Sequence, residues 1–382
     1  MRLMHLADLH IGKKVNEFSM LEDQRYILEQ VLALVRDQKA DGVLIAGDIY
    51  DKAIPPVEAV SLFDTFLTRL SQWHVPVYMI NGNHDSVERV SFGAKLMQKS
   101  GVYVASEYTG DVESVRVQDA YGILDIYLLP FIKPAYVRAV WGEEAEGIRT
   151  CQEAVAYVMS KVKLEKDHRN LLVAHQFVTG AATCDSEEHS VGGLDQVEAA
   201  CFDGFDYVAL GHLHGPQTVG CDTIRYAGTL LKYSFSEVNH EKRVTIVDLK
   251  EKGNITIETY PLEPLHDMRK LRGSYEEITK KSNYDQTNTE DYVQITLTDE
   301  EDIFDAVGKL RVIYPNLMKL EYDNTRTRRN SQTGLQDTAE DKTPMELAEE
   351  LFEMQNNKLM GEAQKQYMES LMADIWEEKE NI

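Results

Sequence analysis

Over the first 260 residues, short apolar runs alternate with segments of helical spacing. Leu3–Ala7 is apolar except for His5 and has the length of a buried strand. Leu28, Val31, Leu32 and Val35 then recur three and four residues apart, which predicts a helix with one buried face. Gly42–Ala46 is the next strand, Val60, Phe63, Leu67 and Leu70 mark a second helix, and Val77–Ile80 is a third strand. This order predicts parallel strands with helices packed over the sheet. Leu124–Leu129, Leu171–Ala174 and Tyr207–Leu210 are further strands, and Thr223–Ala227, Val244–Leu249 and Ile255–Tyr260 are expected as antiparallel additions. The expected fold class is α/β, in layered α+β form: a β-sandwich flanked by helices.

The character changes after Pro261-Leu262-Glu263-Pro264. A strand at Tyr292–Leu297, a helix at Asp302–Val312 and a strand at Lys319–Tyr322 predict a small α+β domain. A polar stretch with Arg326, Arg328 and Arg329 follows and reads as a linker; phosphate contacts by these arginines are the alternative. Thr343-Pro344-Met345-Glu346 carries a capping residue, proline at the first helical position and glutamate three residues after the cap. Leu347, Leu351, Leu359, Ala363, Tyr367, Leu371 and Ile375 form an apolar stripe, which Gln355-Asn356-Asn357 divides into two helices. Five methionines here suit adaptable contacts with a partner; folding back onto the chain's own core is the alternative. The expected boundaries are 1–264 for the sandwich, 265–325 for the small domain, 326–343 for the linker and 344–382 for the helical tail.

Composition narrows the function. With 40 Lys+Arg against 64 Asp+Glu, the net charge is −24. Free-standing nucleic-acid binders neutralise phosphates with basic residues, so this chain is not one, although metals or a partner can supply the positive charge. Cys151, Cys184, Cys201 and Cys221 lie far apart without a Cys-x-x-Cys pair, which argues for buried free thiols over a zinc ribbon or disulfide framework. The first residues lack a signal-peptide core and no run approaches a bilayer span, so a cytoplasmic location without membrane contact is expected.

Five segments concentrate metal-binding residue types: Asp8-Leu9-His10, Gly47-Asp48, Gly82-Asn83-His84-Asp85, His175 and Gly211-His212-Leu213-His214. Each follows an expected strand, so all five converge where parallel strands deliver residues to one edge. Carboxylate, amide oxygen and imidazole suit borderline-hard divalent ions, and one Asp can bridge two of them. Two metals about 3.5–4 Å apart support phosphoester displacement. Taken singly each segment is a weak signal, with Gly-His-x-His the more suggestive because two imidazoles two apart on an extended segment face the same side; the ordered set of five is specific.

This ordered set resembles the calcineurin-like metallophosphoesterase family, and the wider chain resembles its double-strand-break repair nucleases. Asp8-Leu9-His10-Ile11-Gly12, Ala46-Gly47-Asp48-Ile49-Tyr50-Asp51, Asp206–His214 and Tyr233-Ser234-Phe235 carry the resemblance, while Ala227-Gly228-Thr229-Leu230 departs from the expected Gly-Ser-Pro. The resemblance implies one metal held by Asp8, His10, Asp48 and His214. It implies a second held by Asp48, Asn83, His175 and His212, with Asp48 bridging and manganese as the ion. His84 would contact the phosphate and protonate the leaving 3′ oxygen, with the Asp51 carboxylate orienting its ring. His5, His74, His168, His189, His240 and His266 are expected to be structural or solvated, and Lys232 and Tyr233 are candidate substrate contacts.

The activity implied is DNA phosphodiester hydrolysis in repair and recombination: 3′-to-5′ exonuclease on duplex ends and endonuclease on single strands or hairpins. The small domain would be a capping domain. The partner implied is a coiled-coil ATPase bound through the helical tail, with a homodimer of this chain in a nucleoid-associated heterotetramer. A stand-alone phosphatase or phosphodiesterase for a small substrate is the alternative, and a non-catalytic scaffold is a third; the capping domain and tail argue against the phosphatase, and the complete ligand set against the scaffold.

Overall fold

The computed structural model describes residues 1–187, 195–325, 327–328, 344–356 and 358–379. They form two compact units, Met1–Asp267 and Met268–Ile382.

The first unit is built on two six-stranded sheets. In spatial order, one holds Ile255–Pro261, Arg243–Leu249, Arg2–Leu6, Gly42–Ala46, Val77–Ile80 and Val102–Ala105. The last four run parallel, and the first two are antiparallel additions. The other holds Gln217–Val219, Cys221–Tyr226, Tyr207–Gly211, Arg169–His175, Gly122–Leu129 and Glu113–Asp119. Cys221–Tyr226, expected as an antiparallel addition, runs parallel to Tyr207–Gly211; its antiparallel neighbour is the short edge strand Gln217–Val219.

Alternation along the strands fills two layers of core. Leu3, Leu44, Tyr78, Leu124, Ile126, Leu171, Val173, Tyr207 and Ala209 meet between the sheets. On the outer face of the second sheet, Leu172, Ala174, Val208, Leu210 and Tyr226 pack with Ala154, Val155 and Val158 of the helix Cys151–Lys161. That helix starts with a capping box between Thr150 and Glu153. The helices Leu21–Asp37 and Val57–Gln72 each bury one face, through Ile27, Leu28, Val31, Leu32 and Val35 and through Leu62, Phe63, Phe66, Leu67 and Leu70. Complete burial is worth roughly 1.5–3 kcal/mol per large apolar side chain.

Arg169, at the start of its strand, is 2 % exposed and fastens the sheets to each other. Its guanidinium grips Asp119 through two bonds of 2.6 and 3.1 Å and also donates to the Leu249 carbonyl of the opposite sheet at 3.0 Å. His175 ends the same strand, so the candidate site lies at its other end.

In the second unit, Met268–Gly273, Tyr292–Leu297 and Leu317–Tyr322 form a parallel three-stranded sheet. Val293, Ile295, Leu297, Leu310 and Leu317 are the centre of its core. The helix expected at Asp302–Val312 is confined to Ala306–Arg311, with Asp305 as its N-cap. The tail forms two helices, Pro344–Asn356 and Glu362–Lys379. The Thr343 cap, Arg326, Arg329 and nearly all of the 326–343 stretch lie outside the described residues. Arg328 is paired with Asp323 at 2.7 Å. Of the four cysteines, expected as buried thiols, only Cys151 is buried; Cys201 is half-buried against the same core cluster, Cys184 is half-buried beside Ser186 and Glu187, and Cys221 is exposed at the start of its strand.

Candidate metal centre

The five segments leave the C-terminal ends of parallel strands and meet between the sheets. Asp8 and His10 follow Arg2–Leu6, Asp48 follows Gly42–Ala46, and Asn83 and His84 follow Val77–Ile80. His175 ends one strand of the other sheet, and His212 and His214 follow its neighbour. Asp8, His10, Asp48 and His212 all adopt positive φ, between 43° and 104°. Such conformations cost about 1–3 kcal/mol each for residues other than glycine and persist only where the surroundings enforce them. Here main-chain bonds do so: Asp8 donates to the Gly47 carbonyl at 3.1 Å and His10 to that of Asp48 at 2.9 Å. Gly82 and Gly211 permit the close approach, because a Cβ on the first would overlap the Asp48 carboxylate and one on the second the Ala46 carbonyl.

Each aspartate spends one oxygen on the protein and keeps the other. Asp8 Oδ1 accepts from the His212 amide and Asp48 Oδ1 from the His84 amide, both at 2.9 Å. Asp8 Oδ2 is buried without a hydrogen bond among the described residues. Asp48 Oδ2 faces three imidazoles, 3.4 Å from His175 Nε2, 3.7 Å from His10 Nε2 and 4.0 Å from His84 Nε2. His10 Nε2 and His214 Nε2 are 3.1 Å apart. Asn83 Oδ1 lies 3.0 Å from both His175 Nε2 and His212 Nδ1. Asp8, His10 and His214 thus converge on one point, and Asp8, Asp48 and His175 on another. A buried carboxylate oxygen without a partner, beside imidazole nitrogens that face one another, is the donor set a divalent cation satisfies.

The electrostatics are those of anions held away from water. Burial pushes the Asp8 carboxyl well above its usual range. Burial acts on Asp48 in the same direction, but His175 outweighs it and holds that carboxyl low. His175 is itself raised to about 9, since Asp48 prevails over the burial that opposes its charge. His10, buried beside other imidazoles, is held well below the ordinary histidine value.

His84 differs from His10, His175, His212 and His214, which are all buried, in being half-buried, and its Nδ1 bonds to the main-chain carbonyl of Asp51 at 3.0 Å. The expected contact was with the Asp51 carboxylate, which instead receives Lys13 Nζ at 2.6 Å and stands 3.9 Å from His10 Nδ1. Tyr233, an expected substrate contact, is buried: its hydroxyl donates to the Leu9 carbonyl at 2.8 Å and accepts from Gln24, which also holds the His10 carbonyl. Lys232 donates to the Val238 carbonyl and pairs with Asp267. Thr229, in the segment that departs from the family pattern, accepts from Lys242 at 2.7 Å and donates its amide to the His214 carbonyl at 3.1 Å. His5 bonds Tyr207 and the Leu210 carbonyl, His168 bonds Asp125 and His266 bonds Asp23. His189 lies outside the described residues.

Sequence inspection missed the support behind His214. Ser186 Oγ lies 2.6 Å from both His214 Nδ1 and Glu237 Oε1. Lys242 Nζ reaches Glu237 Oε2 at 2.6 Å and the His214 carbonyl at 2.9 Å. Burial opposes the Glu237 charge, but His214 and Lys242 hold its carboxyl down to about 2. These residues are widely separated in sequence, and no local pattern ties them to the five segments.

A sandwich with carboxylates and imidazoles gathered at its strand ends defines a metal-dependent hydrolase, and comparison with known proteins gives the same class. Residues 1–216 match the calcineurin-like phosphoesterase family, and residues 264–356 match the family described as the type 5 capsule protein repressor C-terminal domain. The chain belongs to the calcineurin-like phosphoesterases, as a homologue of the SbcD nuclease subunit. It is 33% identical over 325 residues to the SbcD component of the nuclease SbcCD from Staphylococcus epidermidis, covering 84% of this chain and 85% of that one. Solved structures with which it shares a more distant likeness include TT1561 of Thermus thermophilus (16% identity, TM-score 0.39, 68% of this chain and 98% of that one). Another is a dimetal phosphatase from Danio rerio (14% identity, TM-score 0.39, 69% and 98%). Among the described residues, no helix is long and apolar enough to cross a membrane.

Proposed function

We propose that the chain is the nuclease subunit of a DNA repair and recombination complex, with residues 1–264 as the nuclease domain and 265–325 as the capping domain. Asp8, His10, Asp48 and His214 would hold one divalent ion, and Asp48, Asn83, His175 and His212 a second, with manganese the working metal. The observation that carries this is the arrangement around Asp48, whose Oδ2 faces imidazoles on both sides while Asp8 Oδ2 is buried with no hydrogen bond among the described residues. Bound there, the ions would supply Lewis acidity to a phosphoryl group and acidify a water.

The chain's own contribution centres on His84. The Asp51 carbonyl only accepts, so His84 Nδ1 carries a hydrogen and Nε2 is the atom that exchanges a proton. Nε2 would deliver that proton to the leaving 3′ oxygen as the P–O bond breaks and the oxygen of the attacking water, giving up one proton to solvent, joins phosphorus. The substrates are duplex ends, attacked 3′ to 5′, and single strands or hairpins, cut internally. An SbcC-type coiled-coil ATPase binds the helical tail, and a homodimer of this chain completes a heterotetramer at the nucleoid. The acidic balance agrees with DNA being clamped by that partner.

The test is Mn2+-dependent cleavage of duplex DNA against a chromogenic phosphodiester, with and without the ATPase. Nuclease activity that the ATPase stimulates is expected; activity on the small ester alone would favour a stand-alone phosphodiesterase. His84→Ala should keep its metals and lose about 10²–10⁴-fold in turnover, as for a missing general acid. Near-normal turnover in that variant would remove His84 from the chemistry.

A further inference from the structure

We propose that Ser186 and Glu237 form a hydroxyl-bridged positioning relay that fixes the tautomer of His214 and aims its Nε2 at the metal centre. The inference rests on His214 being a metal ligand and adds two residues that the five motif segments do not contain.

The geometry leaves one hydrogen-bond direction. Glu237 is fully buried, and as a carboxylate it only accepts. Its Oε1 takes the Ser186 hydroxyl at 2.6 Å. A hydroxyl has a single hydrogen, so Ser186 Oγ must accept from His214 Nδ1, also at 2.6 Å, and cannot donate to Cys184 Sγ, 3.2 Å away. His214 therefore carries its hydrogen on Nδ1, and the lone pair sits on Nε2. That nitrogen is the one facing His10 Nε2 at 3.1 Å and belonging to the convergence with Asp8. The opposite tautomer would place a hydrogen against the cation and leave Ser186 with two acceptors.

The relay is closed on its far side. Lys242, 6 % exposed, neutralises Glu237 through Oε2 and returns to the His214 carbonyl and Thr229. The Glu187 carboxylate accepts the His214 amide at 2.5 Å, so one short loop, 184–187, grips both the main chain and the ring of His214. The neighbouring ligand candidate His175 has a direct partner, the Ala46 carbonyl at 2.7 Å from Nδ1, which fixes its tautomer without a relay. Partners of this kind raise ligand basicity and lock ring orientation, and their loss typically weakens metal affinity about 10–100-fold.

Three measurements decide it. First, the His214 ring in the metal-free wild type is assigned by ¹⁵N NMR at about pH 8; a hydrogen on Nδ1 is expected, and one on Nε2 overturns the relay without any variant. Second, Mn2+ affinity and stoichiometry are measured by calorimetry for Ser186→Ala and Glu237→Gln. About 10–100-fold weaker binding at one site, an unchanged second site and restoration in Ser186→Thr are expected. Wild-type affinity in Ser186→Ala, or the same loss in Ser186→Thr, refutes the positioning role. Third, His214→Ala separates the two levels. If it binds both metals as the wild type does, the ligand assignment of His214 fails. If it loses one metal while Ser186→Ala loses none, only the relay fails.

Discussion

Asp48 is the residue on which the site turns. Its Oδ1 is committed to the His84 amide and its Oδ2 is shared among His10, His84 and His175. Asp8 lies in both convergences, but in the proposed assignment it is a ligand of one ion only, with His10 and His214. Asp48→Asn should therefore weaken both metal sites and Asp8→Asn mainly one, by elemental analysis and calorimetry. Two tightly held metals in the Asp48 variant would end its bridging role. At this scale the sequence was informative about residue identity and silent about support. His10, Asp48 and His214 stand out because each follows an apolar run; Ser186 and Glu237 do not, because a lone hydroxyl in a turn and a lone carboxylate ending the single helical turn Phe235–Glu237 carry no period. The Asp51 contact was also illegible, since a main-chain carbonyl can be offered by any residue type.

Among elements, buried strands were readable and edges were not. Gly42–Ala46 and Val77–Ile80 occur at the expected residues because both faces are covered and the runs are apolar throughout. Glu113–Asp119 and Met268–Gly273 lie at sheet edges and hold only two large apolar side chains each, so no continuous run announces them. The tail shows an element whose apolar face stays open. Leu351, Leu359 and Tyr367 are 54–75 % exposed, and Leu351, Phe352, Met360 and Tyr367 line a largely apolar cavity of about 540 Å³ between its helices. If the proposed ATPase partner docks on this stripe, replacing Leu351, Leu359 and Leu371 with Asp should abolish co-purification with it while metal content and Mn2+-dependent basal cleavage persist. Undiminished complex formation would place the docking surface elsewhere. Collapse of the isolated subunit's melting temperature would show that the stripe serves its own fold.

For the whole molecule, acid sensitivity has an identifiable source. Burial is the largest single influence and raises the Asp119 carboxyl, but the Arg169 fork, the Met1 ammonium 2.8 Å away and the Tyr121 amide together outweigh it and hold it at about 2, below its ordinary 3.8. A depressed carboxyl contributes stability that is complete above the ordinary value and is lost as pH falls through about 2. Asp119→Asn should therefore lower the melting temperature at neutral pH, and the gap to wild type should shrink between about pH 4 and 2. A gap independent of pH over that window would show that the loss is not electrostatic.

Arg169 joins the sheets at one end of a strand, and the candidate ligands at its other end come from both sheets: Asp8, Asp48 and Asn83 from one, His175, His212 and His214 from the other. In the proposed assignment, ions held there would act as rivets across the sandwich, making metal loading a matter of lifetime as well as chemistry. The ligands are up to 206 positions apart, from Asp8 to His214, so they assemble only after both sheets have closed. Contacts that form late in folding act mainly on the rate of opening. Chelation should accordingly speed unfolding in denaturant far more than it slows refolding. Free metal at 100 times its dissociation constant adds about 2.7 kcal/mol per site, close to a hundredfold in native-state lifetime if all of it falls on the unfolding step. Equal unfolding rates with and without chelator would show that the rivets bear no load.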